Sequence, residues 1–343
     1  MNQERNRWWE RNPEISGEIL LVDPASDNAY HTIGEALERI PDHNQSRVCI
    51  CIAPGIYREN LSVTKPNLVM KGAGREETVI TGNLGAYEIL EDGIKRGTFR
   101  TQTVFLHADD VAICDLTIEN TAGAGRVAGQ AVALYADGDR LLFENVRLSG
   151  NQDTLFTGPL PEKEVEPGGF RGPLEHAPRL NGRQYYKSCR IEGNIDFIFG
   201  SATAFFENCE IFCRYPEDPG NTGEKQRIVS YITAASTPEG QRYGYVFHRC
   251  RLTSDCPKNS CMLGRPWRDY AKTVFLECEM EDHICPEGWD DWGKEAARRE
   301  CFFAECESSG SGACRKNRAS FARFLEPSEA AFYEKEKVLG ELR

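Results

Sequence analysis

One short pattern of apolar and polar positions recurs along the chain. Leu142-Phe143-Glu144-Asn145-Val146-Arg147-Leu148 resembles Tyr185-Tyr186-Lys187-Ser188-Cys189-Arg190-Ile191. It returns at Phe205–Ile211, Val246–Leu252, Val274–Met280 and Phe302–Glu307, with a degenerate earlier copy at Val111–Ile118. Apolar and polar residues alternate within each copy, as in half-buried strands. The shortest interval between copies is 20 residues, from Tyr185 to Phe205; the others are 28, 31 or just over 40. A solenoid coil of about 20–25 residues, with loops inserted at some corners, accounts for these intervals. A single coil is too small to bury its own inner face, so stacking supplies the core. On this reading Cys189, Cys209, Cys250, Cys278 and Cys306 share equivalent inward positions. An ordinary β-sandwich with accidental similarity is the alternative, and seven copies weigh against it.

A solenoid needs covered ends. Thr32 and Glu35 form a capping-box signature, followed by Ile33, Ala36, Leu37 and Ile40 on one helical face. This predicts a helical cap at the N-terminal end. Pro327–Leu339 is predicted helical at the other end. The stretch Pro159–Asn181 holds five prolines and reads as one long loop; Gly220–Lys225 and Ser236–Gln241 also read as loops. No linker divides the chain. We expect a single all-β domain over 19–326, an N-terminal extension over 1–18 and a helical tail over 327–343.

Composition narrows the function classes. The chain has 343 residues and a formal net charge of −12, the wrong sign for a non-specific nucleic-acid binder. An acidic sugar stays possible, because a local cleft can differ in sign from the whole surface. No apolar run approaches the ~18 residues of a membrane span, and Met1–Ile15 lacks the apolar core of a secretory signal. With Met1 as the natural start, a cytoplasmic monomer is expected; a trimmed signal would make it secreted. The fourteen cysteines include no CxxC pair. Cys49 and Cys51 are spaced to share one face of a strand. Buried reduced thiols in a reducing compartment fit better than zinc.

Two stretches concentrate the candidate chemistry. Gln152-Asp153-Thr154-Leu155 and Asp196-Phe197-Ile198-Phe199-Gly200 each set one carboxylate among apolar or amide neighbours. An Asp beside Thr154 is most often a turn or cap residue. Asp196 lies between Ile195 and Phe197, and a carboxylate buried there needs a partner. Arg265, in Leu263-Gly264-Arg265-Pro266-Trp267, can hold it bidentately. The interval from Gln130 to Gln152 is about one coil. Asp153 and Asp196 come to adjacent coils once the proline-rich loop is discounted, and Arg265 lies two coils further on. Trp267 on its own is more often core than ligand platform. With Trp289 and Trp292 near it in sequence, stacking on a sugar becomes credible.

In this combination the chain resembles the pectin methylesterases (pectinesterases) over roughly Ile19–Gly312. Five stretches match that family's motifs in order: Gly55–Glu59, Gln130–Leu134, Gln152–Leu155, Asp196–Gly200 and Leu263–Trp267. The resemblance implies a right-handed parallel β-helix, no cofactor and no metal. It also implies hydrolysis of methyl esters in pectin or methylated galacturonate oligomers, releasing methanol. Asp196 matches the family nucleophile and Asp153 the acid that later acts as base. Gln130 and Gln152 match the oxyanion amides, and Arg265 the partner of the nucleophile. Trp267, Thr103 and Trp292 are the expected substrate contacts. Asn151 stands where the family commonly has an aromatic residue, the Pro159–Asn181 loop is long, and the region after Asp290 matches poorly.

Rival readings stay in view. A polygalacturonase would use its carboxylates on the glycosidic bond. A pectate lyase would need calcium ligands, and no suitable acid cluster stands out. A serine hydrolase lacks its GxSxG elbow. A carbohydrate-binding β-helix with a decayed site would have lost a carboxylate or Arg265, and neither is missing.

Overall fold

The computed structural model describes residues 17–217 and 228–340. The expected extension up to residue 16 and the loop at Gly220–Lys225 lie outside the described residues. The repeat becomes a right-handed parallel β-helix, and every strand pairing is parallel. Among the described residues the coils build sheets of eleven, eight and seven strands. Each copy of the sequence pattern contributes one strand of the eleven-stranded sheet, such as Leu141–Glu144, Arg183–Lys187 and Thr203–Glu207. A sharp corner follows, then a strand of the eight-stranded sheet, such as Arg147–Ser149. A second corner leads to the seven-stranded sheet, which includes Leu134–Ala136, Leu155–Thr157, Ile198–Gly200, Ser230–Ala235 and Cys261–Gly264.

The core is a set of columns. Phe143, Tyr186, Phe206, Phe247 and Phe275 stack ring on ring, with centroids 4.4 to 4.6 Å apart. That interval follows the hydrogen-bonded spacing of neighbouring strands. At the corner after each of these strands, and after Ala112–Cys114 one coil earlier, stands a residue with positive φ: Asp115, Asn145, Ser188, Asn208, Arg249 and Glu277, all between 52 and 56°. Asn and Asp tolerate this left-handed conformation best among residues with a side chain. The next residue points back inside. Cys189, Cys209, Cys250 and Cys278 occupy this place, and each thiol donates to the carbonyl of the aromatic residue one coil earlier, at 3.4 to 3.5 Å. Burial pushes the Cys189 and Cys250 thiols well above their ordinary range.

Cys306 does not join this column, contrary to the expectation from the repeat. Backbone pairing sets Phe275 opposite Glu305 and Leu276 opposite Cys306. The last copy is therefore two residues out of step with its aromatic pair. The corner falls at Glu307 (φ 51°), so Cys306 precedes it and packs outside, in the cluster with Val338 and Leu339. The inward column ends instead in buried Glu305. Arg318 closes it with a bidentate pair at 2.7 and 2.9 Å, and the Trp289 indole N–H donates to the same carboxylate at 3.2 Å.

The N-terminal end is capped as the sequence predicts. Helix Ile33–Glu38 carries the full Thr32/Glu35 capping box and buries Ile33, Ala36 and Leu37. The other end differs from expectation. The tail breaks into Pro327–Ala330, a 3-10 turn Ala331–Tyr333 and helix Lys335–Gly340. It lies along the outer face of the eleven-stranded sheet, against Thr203–Glu207 and Arg183–Lys187. Lys335 anchors it to Glu207 at 2.9 Å. The last coil is covered by non-helical chain, with Ala319, Phe321 and Ala322 packed on the core. Val338 and Leu339 give the tail an apolar side that suits a sheet face better than a coil end.

Residues 159–181 form no strand, as expected. Phe170 and Leu174 are buried in an aromatic cluster with Phe99, Phe156 and Phe199 on the outside of the seven-stranded sheet. Arg179 holds the loop's shape by donating to the carbonyls of Pro161, Leu174, Glu175 and Ala177. No helix among the described residues is long and apolar enough to cross a membrane.

Candidate active site

The site grows from the corner that leads into the seven-stranded sheet. Leu155 pairs with Ile198, and Ile198 with Thr233. Counting back two residues puts Asp153, Asp196 and Tyr231 at one register position on three successive coils. Both aspartates have positive φ, 64° and 50°. Each is preceded by an asparagine at the same offset, and these two asparagines tie the coils together. Asn194 N–H donates to the Asn151 carbonyl at 2.9 Å, and Asp153 N–H donates to the Ile195 carbonyl at 3.0 Å. Asn151, a departure from the resembled pattern, is thus a buried corner residue.

Arg265 comes from the end of strand Cys261–Gly264, two coils beyond Asp196. Its Nε and Nη2 donate to the two Asp196 carboxylate oxygens at 2.8 and 2.7 Å. Asp153 and Asp196 are each 8% exposed. They face a cavity of about 330 Å³ that Gln130, Gln152, Arg265, Trp267 and Trp292 also line. Seven of the eight residues expected at the site therefore meet there.

Thr103 is the one that does not. It is fully buried inside the coil, and its hydroxyl donates to the Glu119 carbonyl at 2.8 Å. The hydroxyl is consumed within the fold, and Thr98 lines the cavity instead.

The two carboxyls are held differently. Burial, and then the negative charge of Asp196, push the Asp153 carboxyl well above the ordinary carboxylate range. Burial raises Asp196 too, but the Arg265 hydrogen bonds and charge oppose it, with Lys294 assisting. Asp196 therefore ionises before Asp153. An ionised carboxylate beside a protonated one, with two amides at the same cavity, is the arrangement that acyl transfer through a carboxylate nucleophile requires.

Several cavity residues carried no motif in the sequence. Phe99 and Phe170 flank Trp267, with ring centroids at 6.5 and 6.2 Å. Val165, Glu166 and Gly169 reach the cavity from the long loop. Arg268 lies over the Trp267 ring at 4.8 Å and donates to the Lys163 carbonyl at 2.9 Å, pinning that loop to the coil of Arg265. Tyr231 could have been found only by aligning strand Ser230–Ala235 with its neighbours.

Known proteins share this arrangement of chain. The Pectinesterase family matches over residues 20–160 and 179–341, with the middle of the long loop left out. A pectinesterase/pectinesterase inhibitor of Arabidopsis thaliana is 33% identical over 94% of this chain. The chain spans only 42% of that relative. Pectinesterase 31 of the same plant is 33% identical over 92% of this chain and 90% of its own length. A crystal structure of a pectin methylesterase in complex with a hexasaccharide superposes with a TM-score of 0.77 at 31% identity, covering 96% of this chain and 98% of the other. With the motif residues gathered in one cavity and the match running through nearly every coil, the chain belongs to the pectinesterase family.

Proposed function

We propose that this protein hydrolyses methyl esters of galacturonate in pectin or its oligomers. The observation that carries this reading is the bidentate Arg265–Asp196 pair beside a buried Asp153 at the same register. Asp196 attacks the ester carbonyl carbon. Gln130 and Gln152 donate N–H groups to the oxyanion. The carbon–methoxy bond then breaks, and Asp153 gives its proton to the leaving oxygen, releasing methanol. An acyl–Asp196 anhydride remains. Asp153, now a carboxylate, takes a proton from water as that water attacks the acyl carbonyl. The free acid leaves, Asp196 is restored and Asp153 is protonated again. Methanol release from methylated galacturonate oligomers, run beside reducing-end and unsaturated-product assays, tests this. New reducing ends or unsaturated product without methanol would replace it with glycosidic cleavage.

The two amides act mainly on the transition state. Gln130→Ala and Gln152→Ala should each lower kcat more than they raise KM, by roughly 10²–10³-fold for the stronger. A change confined to KM would make them ordinary sugar contacts. Gly125 supports Gln152 in a way that can be separated. A Cβ at Gly125 would sit 2.5 Å from Gln152 Oε1, the mobile end of that side chain, and 3.1 Å from Gln152 Cβ. Gly125→Ala should therefore cost up to about 10²-fold in kcat by displacing the amide, with a smaller loss of thermal stability from the tight contact to Gln152 Cβ.

The pH profile follows from the two carboxyls. Activity appears as pH rises through the raised Asp196 value and is lost as it rises through the higher Asp153 value. A bell-shaped kcat/KM is expected, its acid limb above the ~3.9 of a free aspartate. Both limbs belong to the pair. A profile with no alkaline limb would remove Asp153 as the acid.

The finer reading is a short methylated oligomer rather than long pectin. Its support is the long loop, whose Val165, Glu166 and Phe170 form one part of the cavity lining and whose Lys163 is bound by Arg268. Comparing kcat/KM for methylated tri- to hexamers with that for polymer, with the loop intact and trimmed, tests it; polymer preference unchanged by trimming overturns it. A cytoplasmic site of action is supported by the column of free, buried thiols. A monomer is supported by the chain's own cover over both ends of the coil stack.

A further inference from the structure

We propose that Tyr231 and Trp292 are positioning residues that clamp the Arg265 guanidinium between their rings and so hold it flat against the Asp196 carboxylate. This rests on Asp196 as the nucleophile, and it gives Trp292 a task other than the sugar contact expected from sequence. The Arg265 Cζ lies 3.9 Å from the Tyr231 ring centroid and 3.8 Å from that of Trp292. Both distances are close for a cation over an aromatic face. The guanidinium is planar and donates through its edge. Two rings over it restrict rotation out of its plane, and the Nε/Nη2 edge is left facing Asp196. Without the clamp, a long side chain would have to hold that geometry through the carboxylate alone, at a cost in rotamer freedom.

Both rings are rooted in the coils they serve. Tyr231 occupies the register position of Asp153 and Asp196, one coil on. Its N–H donates to the Asn194 carbonyl at 2.8 Å, and the Ser230 hydroxyl donates to the same oxygen at 2.6 Å. The backbone that carries the ring is thereby fixed to the corner that carries Asp196. Trp292 stands at a positive-φ turn (56°), where its N–H donates to Asp290 Oδ1 at 2.6 Å. Asp290 N–H in turn donates to the carbonyl of Gly264, the residue before Arg265. Lys294 completes the assembly. Its Nζ lies 4.5 Å from the Trp292 ring centroid and donates to the carbonyls of Pro266 and Trp267.

The clamp predicts effects that loss of a sugar contact would not produce. The charged groups acting on Asp196 are Arg265, Lys294 and Asp290, with Asp153 beside it. Of these only Arg265 depends on the Tyr231 ring for its orientation. Tyr231→Leu should lower kcat by about tenfold to a hundredfold with KM within about twofold, and should move the acid limb of kcat/KM to higher pH. Tyr231→Phe keeps the ring and should restore both. Trp292→Leu, on a separate turn, should act in the same direction if Tyr231→Leu does not fold. The clamp can also be read without turnover. In ¹⁵N relaxation of the full chain, the Arg265 Nε–H should be rigid in the wild type and mobile in Tyr231→Leu or Trp292→Leu. A mobile Arg265 in the wild type overturns the clamp. An unshifted acid limb in both leucine variants overturns it too, as does a change in KM alone or a Phe variant as impaired as Leu. Rigid Arg265 in a protein that releases no methanol would leave the clamp standing and sink the esterase reading instead.

Discussion

Asp196→Asn should lower kcat by about four or more decades while leaving the fold intact. The change keeps the volume and the apolar packing around residues 195–199. It removes the nucleophilic charge and one half of the pair with Arg265. Loss of a covalent catalyst is expected at this scale, because the remaining groups cannot form the acyl intermediate. The measurement is single-turnover methanol release, with unfolding followed in parallel. Activity within tenfold of wild type would remove Asp196 from the nucleophile's role. Asp153→Asn makes a useful contrast. It should slow both halves of the reaction without preventing attack, so poor leaving groups should suffer more than activated esters.

The largest effect on stability is expected far from the cavity, at Arg318. This side chain is 1% exposed and faces Glu305, at 4%. Besides the bidentate pair, it donates to the carbonyls of Cys285, Pro286 and Gly312. Arg318→Met should destabilise by about 3–5 kcal/mol, because it strands a buried carboxylate at the end of the inward column. That is a large share of the roughly 5–15 kcal/mol that holds a folded domain. Glu305→Leu combined with Arg318→Met should recover most of the loss, since an apolar pair avoids desolvating two charges. Urea unfolding of the single and double variants measures the coupling. Equal instability of the double variant would show that the backbone carbonyls, not Glu305, are what Arg318 serves.

Much of this architecture could be read before any coordinates. The alternation in Phe205–Ile211 and its relatives pointed to the coils, because the same strand pattern returns seven times at intervals that a stacked coil accounts for. Four of the five matched stretches singled out Gln130, Gln152, Asp153, Asp196 and Arg265, which meet at one cavity. Other features depended on contacts that linear order hides. Cys306 looked equivalent to Cys278 because Phe302 and Phe303 imitate the aromatic pairs of other copies. Only the hydrogen-bond register and the corner at Glu307 reveal the two-residue offset. The tail at 327–340 has the composition of a helix, but where it lies depends on Glu207 and Tyr185, far away in sequence. Thr103 fitted a substrate-contact position by neighbourhood, yet its hydroxyl is taken by Glu119. Tyr231 belongs to no motif. Its place follows from the pairing of Ile198 with Thr233, across an interval unlike the one that separates the two aspartates.

That stacking of neighbouring rungs also bears on how such a site can change over time. The distance between the two acids is not determined by the chain that joins them. It is the rise from one rung to the next, about 4.8 Å, held by parallel backbone hydrogen bonds. The 42 residues between Asp153 and Asp196 include the whole long loop, while the register of Leu155 with Ile198 stays that of plain neighbours. An insertion at this corner can therefore lengthen, shorten or be exchanged without moving the reacting groups. Selection on what may enter the cavity is thereby uncoupled from selection on the groups at its floor, and loop-swapped chimaeras of this protein should keep the Asp153–Asp196–Arg265 geometry whatever ligand they come to prefer.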